Sequence, residues 1–193
     1  MNSKKRLSLA VIFLILIAAG CGRGSLVYHV REDVDFSYFK KVAVMPMENL
    51  TNERTAGDVV RNVVISELLA SGLVDVAVPG DVVAALSDLE IKNGHGATLN
   101  EKQIKAIGKA LNVEGLIIGA VEQYGETRSG NFSAPEVTIT LMMVDAGSGN
   151  IVWSITRSRG GAGFMSRHFG AKADTMSETV LAVVRESIRT LSR

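Results

Sequence analysis

The chain has 193 residues with 21 Lys and Arg against 20 Asp and Glu, and it contains a single cysteine. A net charge this close to zero excludes the strongly basic surface by which proteins bind nucleic acid or an anionic membrane. One cysteine cannot form a disulfide within the chain, so burial and hydrogen bonding must stabilise the fold. The length suits one domain with a core of its own.

The first 21 residues have the layout of a bacterial lipoprotein signal. Three basic residues, Lys4 to Arg6, precede an apolar run from Leu7 to Ala19, and Gly20 stands directly before Cys21. The run is too short for a transmembrane helix, and its end resembles the lipobox. We therefore predict a signal peptide over residues 1–20 and covalent lipid on Cys21. An ordinary cleaved signal with a chance cysteine and a lone thiol are the alternatives.

Residues 21–40 are predicted to be the lipidated N-terminus and a short linker. Apolar residues alternate at Val34, Phe36 and Tyr38, which predicts an edge strand in this segment. About 20 residues reach at most roughly 70 Å. The segment is therefore not a long tether of the kind that crosses an envelope.

Residues 41–193 are predicted to form one α/β domain. The first part has a buried strand at Val42–Pro46, a helix at Ala56–Ala70 with a stop at Ser71-Gly72, and a strand at Leu73–Val78. Two more helices follow, one N-capped by Asp81 and one by Asn100. A long central strand, Val113–Tyr124, ends this part.

The pattern then changes to antiparallel strands. Residues 137–144 alternate and return after a glycine-bearing turn as Asn150–Ser158, where Trp153 shares a face with Ile151 and Ile155 and is predicted to be a core residue. Gly160–Gly163 then leads to a helix from about Ala173 to Leu191. The predicted order is β-α-β-α-α-β-β-β-α, with helices covering a mixed parallel and antiparallel sheet of about five strands.

The sequence offers no catalytic or metal-binding constellation. His29, His95 and His168 are far apart, and none has a second ligand at metal-binding spacing. The acidic residues of the helices are predicted to lie on solvent-exposed faces. We therefore expect a protein that is not an enzyme, with no metal and no cofactor other than the lipid on Cys21.

Several segments together resemble one family of envelope lipoproteins. The segments are the strand and polar loop from Val42 to Thr51, the helix and strand from Leu68 to Val78, the step from Leu111 to Gly119, and the hairpin from Val144 to Trp153. This group contains the curli secretion lipoprotein CsgG, the penicillin-binding-protein activator LpoB and the N-terminal domain of TolB. The resemblance covers roughly residues 40–191 and implies an α/β domain, a non-catalytic role and protein partners in the envelope.

The sequence departs from two members of this group. Pore-forming members insert membrane hairpins whose spanning strands need about 9–11 residues each, and residues 125–135 and 158–172 are too short for a pair of them. Activators of the LpoB type carry a long tether, which is lacking here. We therefore predict a lipid-anchored accessory protein, activator or assembly factor, that binds other envelope proteins and no nucleic acid. The alternative is a homo-oligomeric subunit of an export or assembly complex.

The loop from Met47 to Thr55 is the predicted partner-binding site. It leaves the carboxyl end of a parallel strand and feeds a helix, which is the usual recognition edge of an open α/β sheet. Its candidate residues are Glu48, Asn49, Thr51, Asn52, Glu53 and Arg54. In the alternative interpretation Asn49 braces the loop and Thr55 caps the helix, which leaves Glu53 and Arg54 without a structural role.

Gly22 after the cysteine predicts residence on the periplasmic face of the outer membrane, with the inner membrane as the other option.

Overall fold

The computed structural model describes residues 28–92, 94–95, 98–129, 132–160 and 174–191, and within them seven strands form one mixed sheet. The strands are β1 (Tyr28–Val30), β2 (Lys41–Val44), β3 (Glu48–Asn49), β4 (Asp75–Val76), β5 (Gly115–Ser129), β6 (Phe132–Asp145) and β7 (Ile151–Gly160). The helices are α1 (Ala56–Ser71), α2 (Pro79–Asp88), α3 (Glu101–Leu111) and α4 (Met176–Ile188). The predicted α/β class and element order are confirmed, and the short strands β1 and β3 raise the strand number above the expected five.

The sheet combines a parallel and an antiparallel half. Its order is β1-β7-β6-β5-β2-β4, and β3 also pairs with β5. β2 runs parallel to β4 and β5, whereas β5, β6 and β7 form an antiparallel meander. Parallel neighbours need crossover connections, which the helices supply, whereas antiparallel neighbours need only a turn.

Helices cover the sheet on both faces. The first core joins α1 and α4 to one face and includes Val44, Val60, Leu68, Ile117, Ile139, Leu141, Val183 and Val184. The second core joins α2 and α3 to the other face and includes Ala43, Met45, Val82, Leu86, Ile104, Ile107, Leu116 and Ile118. Successive apolar residues of β2 and of β5 therefore face the two layers in turn.

The predicted helix starts are confirmed at one helix and wrong at another. Asn100 caps α3, since its side chain accepts from Gln103 N while the Gln103 side chain accepts from Asn100 N. Asp81 does not cap α2, which begins earlier, at Pro79, with Val78 as the capping residue. Proline is favoured in the first turn because it has no N–H to satisfy there, and Asp81 lies within that turn.

The ends of α1 and α4 follow local rules. Gly72 ends α1 as predicted, in the left-handed conformation at φ 65°. Thr175 and Glu178 form a capping box at the start of α4. The expected start near Ala173 lies outside the described residues, as do residues 161–163 of the glycine-rich bridge.

The N-terminal edge strand lies earlier than the sequence predicted. Tyr28–Val30 is the strand, antiparallel to β7, whereas Phe36–Tyr38 is a turn of 3-10 helix. Phe39 follows that turn and is buried in the first core. The alternation at 34–38 therefore reflects the packing of a turn that brings Phe39 onto the sheet, and residues 28–40 belong to the folded domain.

β5 and β6 extend beyond the rest of the sheet. The outermost row that includes β7 joins Gly125, Glu136 and Gly160. Beyond it, Glu126–Ser129 and Phe132–Pro135 pair only with each other among the described residues, and we call this two-stranded extension the β5–β6 arm. It is the continuation of two strands that the sequence predicted to end near residues 124 and 137.

A β-bulge determines the surroundings of Trp153. Trp153 pairs with Met143, but the next paired row joins Val144 to Ile151, so Val152 is the extra residue. Trp153 is fully buried and its Nε1 donates to Thr190 Oγ1 over 2.9 Å. The predicted core role is confirmed, but Ile151 does not share its face, because the bulge leaves Ile151 45% exposed.

The outer strands of the sheet are short. β4 has two residues instead of the expected Leu73–Val78, because it pairs on one side only and α2 begins at Pro79. β1, at the opposite edge, has three residues. Within the described part of the chain, no helix combines the length and apolar character needed to cross a membrane.

Candidate partner-binding loop

The predicted lipidation site, Cys21, lies outside the described residues. So does Gly22, which carries the prediction about the membrane. Tyr28, the first described residue, follows Cys21 by seven positions. Lipidation therefore stays a prediction, and the structure bears on the second site, the loop from Met47 to Thr55, which we call the 47–55 loop.

The first half of the 47–55 loop is held against β5. Met45 N donates to Ile117 O over 2.9 Å, and Leu50 N donates to Val121 O over 3.0 Å. Between these bonds, β3 pairs in parallel with β5. The chain therefore continues along β5 after β2 ends, and only residues 50–55 leave the sheet to enter α1.

Asn49 organises the second half of the loop. Its Nδ2 donates to Glu53 O over 2.8 Å and lies 3.4 Å from Arg54 O. Its Oδ1 accepts from both Thr51 N, over 3.0 Å, and Thr51 Oγ1, over 2.8 Å. The bracing role considered for Asn49 is confirmed, since one amide holds both ends of the turn.

The structure gives Glu53 and Thr55 roles that differ from the predicted ones. The Thr55 side chain makes no capping bond to α1; instead Thr55 Oγ1 donates to Glu53 Oε1 over 3.1 Å. Glu53 Oε1 also accepts from Thr55 N over 3.5 Å, while Glu53 N donates to Thr51 Oγ1 over 3.2 Å. The expectation that Glu53 has no structural role is therefore wrong, because the carboxylate serves the helix start.

The loop packs closely on the first turn of α1. A Cβ atom on Gly57 would lie 3.2 Å from Met47 O and 3.6 Å from Asn49 Cβ. Most side chains at position 57 would therefore push the loop away from the helix. The contact fixes where the loop stands, and the sequence analysis did not single out Gly57.

Arg61 holds the end of β2, just before the loop begins. This buried side chain of α1 donates from Nε and Nη2 to Val44 O, over 3.1 and 2.8 Å. Burial lowers the pKa of Arg61, and the Asp58 carboxylate offsets part of that effect. Arginine nevertheless stays protonated at neutral pH. The sequence analysis missed Arg61, although a basic residue within the apolar stripe of a helix is a signal of such a role.

Five side chains of the loop are exposed, among them Glu53 and Thr55. Leu50 is 59% exposed, and Asn52 and Arg54 are exposed beside it. The structure shows no hydrogen bond or ion pair made by the Arg54 side chain to another described residue. Leu50 was absent from the predicted site, although a leucine within a run of polar loop residues is the sequence signal that identifies it.

Tyr124 of β5 lies near enough to the loop to be affected by the charge of Glu53. Burial, together with the negative charge of Glu53, raises the pKa of the Tyr124 phenol, with burial the larger cause. A bulge between Val121 and Gln123 comes just before Tyr124 on this strand. The bulge bends β5 where the loop separates from it.

This arrangement is suited to recognition. A braced turn presents an apolar side chain and a cation on a fixed base, and its hydroxyl and carboxylate groups are engaged in holding the turn. Among the described residues, no three His, Cys, Asp or Glu side chains stand close enough together to hold a metal ion.

The comparison with known families identifies the group. Residues 30–157 match the model of the family described as peptidoglycan-synthase activator LpoB. The chain belongs to this family. Membership of the LpoB family makes it an accessory protein of the cell envelope and confirms the resemblance noted in the sequence. Among curated proteins, no sequence matches the chain significantly.

Solved structures share the fold of this LpoB-family chain. PelC from Paraburkholderia phytofirmans, crystallised as a dodecamer, aligns with a TM-score of 0.59 at 21% identity, over 87% of this chain and 98% of PelC. Lipoprotein GNA1162 from Neisseria meningitidis aligns with a TM-score of 0.55 at 14% identity, over 78% of this chain and 99% of that protein. Both alignments support the α/β fold of the whole domain.

Proposed function

We propose that this LpoB-family chain is a lipid-anchored accessory protein that acts by binding another envelope protein through the 47–55 loop. Cys21 carries the lipid, and the protein resides on the periplasmic face of the outer membrane. It works as an activator or assembly factor and performs no chemistry of its own. We do not propose an inner-membrane synthase as the partner, because the segment after Cys21 is too short to cross the envelope.

One observation carries this proposal: an exposed leucine stands on a loop whose backbone is fixed from three sides. β5 holds the start of the loop, Asn49 closes its turn, and α1 packs beneath it at Gly57. A rigid loop loses little conformational entropy on binding, so more of the contact energy appears as affinity.

The chemistry of the loop describes its partner. Leu50 requires an apolar pocket, and the guanidinium of Arg54 favours a carboxylate at the rim of that pocket. The Glu53 carboxylate is already bonded to Thr55. The expected partner surface is therefore an apolar depression with an acidic edge.

The test is capture from native membranes with the lipidated protein as bait. Leu50→Ser and Arg54→Ala change the loop without removing a hydrogen bond that holds it. Leu69→Ser is a matched control, since Leu69 is a leucine of α1 that is 56% exposed, almost the same exposure as Leu50. Melting temperatures of all variants show whether the fold is kept.

We expect Leu50→Ser to lose the partner and Leu69→Ser to keep it, with unchanged melting temperatures. If Leu50→Ser and Arg54→Ala capture as wild type does, the loop is not the binding site. Loss of capture in Leu69→Ser alone would place the site on the α1 surface.

A second candidate function is a subunit of an oligomeric export or assembly complex. The observation that favours it is the alignment over 98% of PelC, a protein crystallised as a dodecamer. Light scattering of the lipidated protein in detergent separates the two functions. A monomer or dimer supports the accessory protein, and a ring-sized particle supports the subunit.

A further inference from the structure

The chain enters the sheet from the side of the β5–β6 arm. β1 is antiparallel to β7, with Tyr28 opposite Ile155 and Val30 opposite Trp153. The N-terminal end of β1, at Tyr28, therefore points in the direction in which β7 runs toward Gly160. β6 runs to the arm on that same side, because Gly160 pairs with Glu136.

The segment between the lipidation site and the sheet is short. Seven positions separate Cys21 from Tyr28. Whatever conformation they adopt, they span at most about 25 Å, at roughly 3.6 Å per residue. A lipid on Cys21 therefore keeps Tyr28 within about 25 Å of the membrane surface.

The arm extends at least as far from the row of Tyr28 as the segment between Cys21 and Tyr28 can span. Tyr28, Ile155, Leu141 and Gly119 lie in one row across the sheet. From that row to the last pair of the arm, Ser129 with Phe132, β6 continues for nine residues. At roughly 3.3 Å per residue this is about 30 Å, which equals or exceeds the reach of the segment on the same side.

We propose that the β5–β6 arm rests against the surface of the membrane that holds the lipid on Cys21. The inference rests on the proposed lipid anchor but not on the partner role of the 47–55 loop. With the chain entering on the arm side and held so close, the arm is the first part of the domain to meet lipid headgroups. The surface that the arm contacts is the lipid bilayer itself.

The exposed side chains of the arm suit headgroups. Thr127, Arg128 and Ser133 are exposed, and Arg128 supplies a cation for lipid phosphate. Glu126 accepts a hydrogen bond from Ser133 Oγ over 2.6 Å. The charges of Glu126 and Arg128 balance, so proximity imposed by the anchor, and not net charge, brings the arm to the surface.

The test places one fluorophore at each end of the domain. Cys21 is the only cysteine, and its thiol is occupied by lipid, so Ser133→Cys adds a unique thiol on the arm. Ser148→Cys is the matched control, an exposed serine in the turn after β6 at the opposite end. Each labelled lipidated protein is added to phosphatidylethanolamine and phosphatidylglycerol vesicles that contain a spin-labelled quencher lipid.

We expect several-fold stronger quenching at position 133 than at position 148. Inserting a flexible Gly/Ser segment of about 20 residues after Gly22 should bring the two values together, because the anchor no longer limits the distance. Equal quenching without the insertion, or stronger quenching at position 148, overturns the proposal.

Flotation of the same vesicles distinguishes failure of the lipid anchor from failure of the proposed orientation. If the lipidated protein does not float with the vesicles, the anchor is refuted and this proposal with it. If it floats but position 133 is not preferentially quenched, the anchor stands and the orientation is wrong. Partner capture through the 47–55 loop is measured separately and is decided by neither result.

Discussion

The guanidinium of Arg61 donates two hydrogen bonds to the main-chain oxygen of Val44, joining the middle of α1 to the end of β2. Pro46, which has no N–H, follows two residues later and interrupts the regular ladder of the strand. A buried cation thus holds the point where the chain leaves β2 for the 47–55 loop. Helix and loop are consequently coupled, although Arg61 does not belong to the loop.

Arg61→Ala should lower the free energy of unfolding by about 1–3 kcal/mol, because two charge-assisted hydrogen bonds and a buried stem are lost. Arg61→Lys should recover part of this, since an ammonium group cannot present the same planar pair of donors. Urea denaturation measures both. Arg54→Ala is the control, with an expected change within about 0.5 kcal/mol; equal effects of the two alanine variants would contradict the assignment.

Asn49→Ala should destabilise the loop, with a loss of about 1–3 kcal/mol in the free energy of unfolding. The variant removes the amide that accepts from Thr51 and donates to Glu53 O. Asn52→Ala, an exposed asparagine of the same loop, is the matched control and should be nearly neutral. Urea denaturation gives the stabilities, and proteolysis of the native state should cut the Asn49→Ala loop first. A protease-resistant Asn49→Ala loop would disprove the bracing role.

Trp153→Ala should cost about 3–5 kcal/mol, as expected for a buried aromatic residue replaced by alanine. Trp153→Phe should cost less, since a ring still fills most of the site, and the losses are the smaller ring volume and the bond to Thr190. Chemical denaturation followed by circular dichroism is suitable, because it does not rely on the fluorescence of the residue that is changed. An alanine variant as stable as wild type would show that the core does not depend on this side chain.

Cys21→Ser should abolish membrane association while the domain stays folded. Cys21 precedes every described residue, so its substitution removes the anchor without touching the cores. Cell fractionation with a high-salt wash measures association, and circular dichroism measures folding. Mature Cys21→Ser protein that remains in the washed membrane pellet would show that another part of the chain binds the membrane.

Gly22→Asp should move the protein from the outer to the inner membrane. In many related bacteria, an aspartate directly after the lipidated cysteine retains a lipoprotein in the inner membrane. Density-gradient separation of the two membranes, with wild type beside the variant, is the measurement. Wild-type protein in the inner-membrane fraction would refute the predicted outer-membrane location.

Patterns that depend on burial were predictable from the sequence, and caps only in part, since Asn100 caps its helix whereas Asp81 does not. The apolar run of β5 and the capping residue Asn100 identify their elements because burial and capping leave periodic or local signals. Features set by contacts between distant residues were not predictable. The bulge that exposes Ile151 depends on pairing between β6 and β7, and the three-residue strand at Tyr28 exists only because β7 offers an edge.

The candidate loop shows the same division. Its position after β2 and the bracing by Asn49 follow from the order of elements and from the chemistry of a short amide side chain. The engagement of Glu53 by Thr55, the tight contact at Gly57 and the support from Arg61 arise only when α1 folds back over the loop. The exposure of Leu50 likewise depends on how the loop lies against β5, to which the Leu50 N–H is bonded at Val121 O.

The brevity of β1 and β4 has a consequence for crowding. Proteins confined to a surface meet copies of themselves far more often than proteins in free solution, and an open strand edge invites edge-to-edge aggregation. The two outermost strands, β1 with three residues and β4 with two, offer little template for such pairing. Among the described residues, the longer margin of β5 beyond Val121 has no strand beside it, and it carries the charged residues Glu122, Glu126 and Arg128 next to a bulge. Short edge strands therefore limit sheet-to-sheet pairing where copies of the protein are crowded on a membrane.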